Sequence, residues 1–224
     1  MKKERIALIT EAGNNLGIRF ASILHEAGYK VILAAKQGNI SQLKKAIVED
    51  IHFVSVDFTH SAGLIELKNK LTSSYGKLDV LINNAEIANG FGQKIHELNI
   101  EELKTLYQQN LFSIIELSQL LYPLLAQSEK ASIINISSGL GKIEKMQDDS
   151  FCYAQYQMTG YATAKAALEM FTVTLNREFK ASNIEVFSFD PVRPKNSRHN
   201  ALIICKEVQE ELLGLLDKVA YPPP

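Results

Sequence analysis

An excess of either charge sign is missing from this sequence: 24 Lys and Arg face 25 Asp and Glu, for a formal net charge of −1. A surface that follows a phosphate backbone needs a basic surplus, so nucleic acid is not an expected partner. Cysteine is scarce, with Cys152 and Cys205 alone. They make no CxxC pair and no histidine stands at ligand spacing, so neither a disulfide framework nor a metal site is expected, and both read as free thiols. Long apolar runs are lacking too. In the opening MKKERIALIT the apolar stretch ends at Thr10 and Glu11, too short for a signal core or a membrane span, which predicts a cytoplasmic chain without a membrane partner. Repeats, low-complexity tracts and linkers are also absent, and the final YPPP reads as a frayed tail.

What remains is an ordinary globular composition, 46% apolar and 22% charged over 224 residues, which suits one well-filled core. A single domain over residues 1–224 is expected. Short β-branched runs at Arg5 to Thr10, Lys30 to Ala35, Ile51 to Val56, Leu78 to Asn83, Ala131 to Ser137 and Ile184 to Phe189 read as buried strands. Between them, Leu16 to Ala27, Ile40 to Glu49, Ala62 to Tyr75, Ile100 to Leu125 and Gly160 to Ser182 have helical length and period. This alternation predicts an α/β fold, a doubly wound parallel sheet of Rossmann type without a clear seventh strand. Ligands bind such sheets at the carboxyl ends of the strands, so the site belongs in the loops after strands one, four, five and six.

The turn after the first strand, Thr10-Glu11-Ala12-Gly13-Asn14-Asn15-Leu16-Gly17, leads directly into a helix. Free N–H groups at a helix start favour a pyrophosphate, yet only Gly13 and Gly17 are available for close backbone approach. The turn alone reads equally as an ordinary strand-to-helix loop. Farther on, Tyr161 and Lys165 lie four apart on a predicted helix and project from one face. A neighbouring ammonium stabilises a phenolate, which suits proton transfer, although such a pair also occurs by chance on surface helices. Its neighbourhood raises its significance: NISSGLG at 135–141 closes the fifth strand, LDVLINNA at 78–85 is the fourth strand and its turn, and Asn110 lies in the next helix.

Over Arg5 to about Ser197 the chain resembles the short-chain dehydrogenase/reductase family, and within it the single-domain carbonyl-reductase-like members. YGKLDVLINNA, INISSGLG and GYATAKAALEMFTVTL carry the resemblance. It implies that Tyr161 is the general acid in carbonyl reduction or the base in alcohol oxidation. It implies further that Lys165 lowers the phenol's pKa and holds the nicotinamide ribose, that Ser138 hydrogen-bonds the reacting oxygen, and that Asn110 supports a water-linked proton path. Ser137 is the adjacent alternative, but strand alternation sends the two hydroxyls to opposite faces, so only one should serve. The resemblance also implies cofactor contacts from Thr10, Asn14, Asn15, Leu16 and Gly17, from Lys36, from Asp57 and Phe58, from Asn84 and Ala85, and from Pro191 and Val192, beside Tyr161 and Lys165. Asp57 reads alternatively as a helix cap, and Asn84 and Ala85 as plain turn residues. Lys36, with no acid there to grip a free ribose hydroxyl, favours NADP(H) over NAD(H).

Departures from the pattern lie along the same path. Glu11 and Asn15 replace two glycines of the first turn, Glu86 replaces the glycine after Asn83-Asn84-Ala85, and Val192 replaces the glycine after Pro191. A carboxylate about 4 Å from a pyrophosphate costs roughly 4 kcal/mol at an effective dielectric near 20, unless it turns to solvent. The segment from about Lys142 to Met158 is an insertion that either lines the substrate pocket or lies across the long helices used for dimerisation, leaving a monomer or a homodimer. The lid from Arg193 to His199 is short. Two functional readings follow: an NADP(H)-dependent oxidoreductase acting on a small-molecule carbonyl or alcohol, or a catalytically silent relative of that fold that binds or senses a partner.

Overall fold

The computed structural model describes residues 4–11, 15–47, 51–84, 86–156, 158–191 and 206–219. Asn14, Ala85, Val192, Cys205, the Arg193 to His199 lid and the YPPP tail lie outside them.

Six strands form one parallel sheet in the order β3-β2-β1-β4-β5-β6. They are β1 (Arg5–Thr10), β2 (Tyr29–Ala35), β3 (His52–Ser55), β4 (Val80–Asn83), β5 (Ala131–Ile136) and β6 (Ile184–Phe189). Parallel strands covered on both faces read as continuous apolar runs, and the two-residue period sorts each run between the faces. Ala7 and Ile9 of β1 join Val31 and Leu33 of β2 in a core under α1 (Asn15–Glu26), α2 (Gln37–Ala46) and, at the other end of the chain, α8 (Lys206–Val219). Ile6, Leu8 and Ile32 face the opposite side, where Leu64, Leu67 and Leu71 of α3 (Ser61–Ser74) and Leu117 and Leu121 of α5 (Ser113–Leu125) meet them.

Chain order reverses between β1 and β4, and the crevice this creates is where the two strands end. Two differences from the sequence expectations bear on it. The segment 100–125 is not one helix: α4 (Ile100–Tyr107) passes through a π turn at Gln108–Phe112 into α5. Ser113 makes the wider turn, its N–H donating to the Gln108 carbonyl and its Oγ lying 2.7 Å from the same oxygen and 2.9 Å from that of Phe58. This wider turn carries Asn110. The fourth strand starts at Val80 rather than Leu78 because the Leu78 N–H is drawn to the Leu124 carbonyl of α5. The last long segment is α7 (Thr159–Glu178), which tightens into a 3-10 turn at Phe179–Ala181.

The insertion folds over the crevice rather than across the outer helices. It contains α6 (Ile143–Met146), and its Met146, Phe151 and Tyr153 pack against a small cluster of Leu106, Leu140, Met158, Tyr161 and Ala164. The groove between α5 and α7, lined by Ile115, Tyr122, Phe171, Leu175 and Phe179, has no insertion residue among its lining. Among the described residues, no helix is long and apolar enough to cross a membrane.

Candidate active site

Strand β5 ends by delivering two consecutive serines, and the alternation expected of them is realised. Ser137 is buried and donates to Glu169 Oε1 of α7 at 2.5 Å, with Ser188 of β6 donating to the same oxygen at 2.6 Å. Ser138 faces Tyr161 instead: its Oγ accepts from the Leu140 N–H at 3.3 Å, and its hydroxyl is near enough to the phenol to pull that group's pKa downward. The backbone then enters a 3-10 turn at Gly139–Gly141 against α7. Gly141 is required there, since a Cβ would lie 2.7 Å from the carbonyl carbon and Cβ of Lys165.

Tyr161 and Lys165 share the inner face of α7, and both are buried. The Lys165 side chain is only 1% exposed, and its ammonium donates to the Ile136 carbonyl at the end of β5, at 2.8 Å. Its other partner is Glu86. Oε2 of Glu86 lies 2.8 Å from Lys165 Nζ and accepts from the Tyr161 hydroxyl at 3.1 Å, so one carboxylate oxygen bridges the phenol and the ammonium. The Tyr161 phenol is accordingly pushed above the ordinary tyrosine range, first by burial and then by the charge and hydrogen bond of Glu86, with Ser138 pulling weakly the other way. In this arrangement the phenol's pKa is raised rather than lowered as the resemblance implies, burial being the larger cause and the Glu86 carboxylate the next.

Asn110 has a different immediate task from the one expected. It is fully buried, donates to the Ile87 carbonyl at 2.8 Å and accepts from the Ile87 N–H at 2.8 Å. That pair of bonds clamps the residue next to Glu86. The loop is held again where the Gly92 N–H donates to the Tyr156 carbonyl of the insertion at 2.9 Å.

At the other end of the crevice, Asn84 ties β4 to β1. Its N–H donates to Thr10 Oγ1 at 3.1 Å, and its side-chain amide donates to the Thr10 and Glu11 carbonyls at 3.2 and 3.1 Å. Glu11 adopts φ 44°, the left-handed region that glycine occupies without strain. Its carboxylate does not turn to solvent but pairs with Lys36 at 3.5 Å, engaging the cation expected for a 2′-phosphate. Asp57 is exposed and is not a helix cap: its Oδ1 accepts from the Thr59 N–H and hydroxyl, which lowers its pKa, while α3 begins after His60. Phe58 is buried in the core and its carbonyl accepts from Ser113 of α5. Leu16 packs on the core, Gly17 is buried within α1, and Pro191 is half-buried beyond β6.

Glu86 was legible as a lost glycine, but its partners were not. Strand pairing supplied the missing signal: Asn83 lies opposite Asn135, so three further residues bring Glu86 beside the Ile136 to Ser138 segment. Glu169 was missed altogether, since nothing in its helical context marks it as the acceptor for two serines.

The short chain dehydrogenase family model matches residues 5–197, most of the chain, and the chain belongs to that family. An uncharacterized oxidoreductase of Staphylococcus aureus is 26% identical over 191 residues, covering 84% of this chain and 77% of that protein. Many solved structures share the fold. The NADPH-bound carbonyl reductase from chicken fatty liver has a TM-score of 0.80 at 22% identity, covering 98% of this chain and 92% of its own. A metagenomic short-chain oxidoreductase in complex with NADP has a TM-score of 0.75 at 21% identity, covering 94% and 90%.

The donor set at the end of β5 suits a bound nicotinamide ribose. The bridging Glu86 oxygen is itself a stand-in: it demonstrates that Lys165 and Tyr161 can hold one oxygen between them. The Glu86 side chain is 31% exposed, so it can exchange for an incoming hydroxyl by rotating toward water.

Proposed function

We propose that this chain transfers a hydride between NADP(H) and a small-molecule carbonyl or alcohol, with Tyr161 managing the proton on the reacting oxygen. The observation that carries this reading is the convergence of Ser138, Tyr161 and Lys165 at the carboxyl end of β5, with Tyr161 in the apolar cluster against which the insertion packs. NADP(H) would supply or accept the hydride, held by Lys165 and Tyr161 at the nicotinamide ribose and by Lys36, Asn84 and the first turn toward the other end. Ser138 donates a hydrogen bond to the substrate oxygen and stabilises the negative charge that grows there. In carbonyl reduction the Tyr161 O–H gives its proton to that oxygen as the carbonyl carbon gains the hydride; in oxidation the phenolate takes the proton from the alcohol. Lys165 holds the phenolate's charge once Glu86 no longer cancels it. Met146, Phe151 and Tyr153 shield the phenol from water, and an apolar carbonyl compound suits such a lining.

A second reading has its own support: Glu86 and Glu11 already occupy the two cations that the first reading needs. Under it the chain is a catalytically silent relative that binds or senses a partner. NADPH titration by calorimetry, followed by turnover on a panel of aldehydes and ketones, separates the two. The first reading expects binding, turnover and loss of turnover in Tyr161→Phe. An absence of binding at millimolar NADPH overturns it, and binding without turnover favours the second.

A further inference from the structure

We infer that Glu86 is an internal ligand of this site: its carboxylate competes with any hydroxyl-bearing ligand for the point between Tyr161 and Lys165, and thereby sets the affinity for the cofactor. The inference rests on the hydride-transfer reading for the identity of the incoming ligand, while the hold of Glu86 on the two residues stands on its own geometry.

Three observations support it. One oxygen of Glu86 satisfies both groups at once, 2.8 Å from the ammonium and 3.1 Å from the phenol, which is the geometry a bridging hydroxyl would need. The backbone beside Glu86 is pinned, with Ile87 held on both its N–H and carbonyl by Asn110. The carboxylate cannot then be withdrawn by a drift of the loop; release runs through its own side-chain rotations, toward the solvent that already reaches it. Finally, little else carries charge at the phenol. Asp190, buried and paired with Lys145 at 3.6 Å, is the weaker influence, so Glu86 is the leading charge acting on the phenol.

An incoming neutral hydroxyl must replace a charged acceptor on a buried ammonium, so the exchange costs affinity in the wild type. Replacing the carboxylate by an amide weakens the competitor, and removing it abolishes the competition. Affinity is therefore ordered wild type, Glu86→Gln, Glu86→Gly, from weakest to tightest.

Two measurements test this. NADPH binding by calorimetry is expected to tighten at least about tenfold from wild type to Glu86→Gly, with Glu86→Gln between; equal dissociation constants overturn the inference. Alkaline titration of tyrosine absorbance in the same proteins without cofactor, with Tyr161→Phe as the blank, is expected to bring the Tyr161 step to lower pH in Glu86→Gln, because the ammonium is no longer neutralised. Superimposable titrations overturn it as well. If none of the three proteins binds NADPH, the hydride-transfer reading fails, and the absorbance titration alone decides whether Glu86 is the internal ligand.

Discussion

The pair of Glu86 and Lys165 should be measurable as a coupling free energy, and its size can be worked from the geometry. At 2.8 Å an effective dielectric of about 20 gives roughly 6 kcal/mol of bare attraction, an upper bound. Two facts reduce it. Glu86 is 31% exposed and therefore partly screened, and Lys165 retains the Ile136 carbonyl whether or not Glu86 is present. A hydrogen bond to a charged group contributes about 1.5–3 kcal/mol, so a coupling of about 1–3 kcal/mol is expected. The assay is a double-mutant cycle of Glu86→Ala, Lys165→Met and the double variant, each unfolded in urea at neutral pH. Salt provides a control. Coupling across a buried ammonium should persist at high ionic strength, whereas the pair of Glu11 with the half-exposed Lys36 should couple by about 1 kcal/mol at most and weaken in salt. A Glu86 to Lys165 coupling below about 0.3 kcal/mol, inside the usual scatter of additivity, would refute the claim that Glu86 neutralises the ammonium.

Three further outcomes follow from the site. Glu11→Gly removes about 1–2 kcal/mol of left-handed strain against a weak ion pair and the greater chain entropy of glycine, so a melting temperature raised by a few degrees is expected; a clear fall would show that the Lys36 contact outweighs the strain. Ser138→Ala should lower kcat/KM by about a hundredfold on a carbonyl substrate, while Ser137→Ala, which touches Glu169 instead, should spare kcat/KM and lower stability; the reverse pattern would exchange their roles. Tyr161 shapes the alkaline limb of stability. Its folded pKa lies above the value of about 10 that the unfolded phenol has, so above that pH the native state binds more protons and stability falls as pH rises, by up to about 1.4 kcal/mol per pH unit. Denaturant unfolding from just below to just above that pH of about 10 should show a steeper fall in wild type than in Tyr161→Phe, where Tyr75 and Tyr153, also raised by burial, keep part of the slope; an unchanged slope would contradict the raised phenol.

Much of the fold was legible because its signals are local. Arg5–Thr10 and Ile184–Phe189 are strands over the very residues that their β-branched runs mark. The others shift by a residue or two at their ends, since ends are decided by where a particular N–H finds its acceptor, as Leu78 does on α5. The break at Gln108–Phe112 was not legible. Its apolar period runs through unbroken, and the extra residue per turn is made by Ser113 reaching Gln108 and Phe58.

The residue types of the site, Ser138, Tyr161 and Lys165, and their spacing along the chain were set by the sequence by itself, because the four-residue period of a helix and the two-residue period of a strand suffice to say which side chains share a face. Their electrostatic state was decided by tertiary structure alone. Glu86 lies 75 and 79 positions before Tyr161 and Lys165 in the chain, and only the pairing of β4 with β5, together with the grip of Asn110 on Ile87, brings its carboxylate between them. A charge acts through distance and burial, and neither is written in the order of residues.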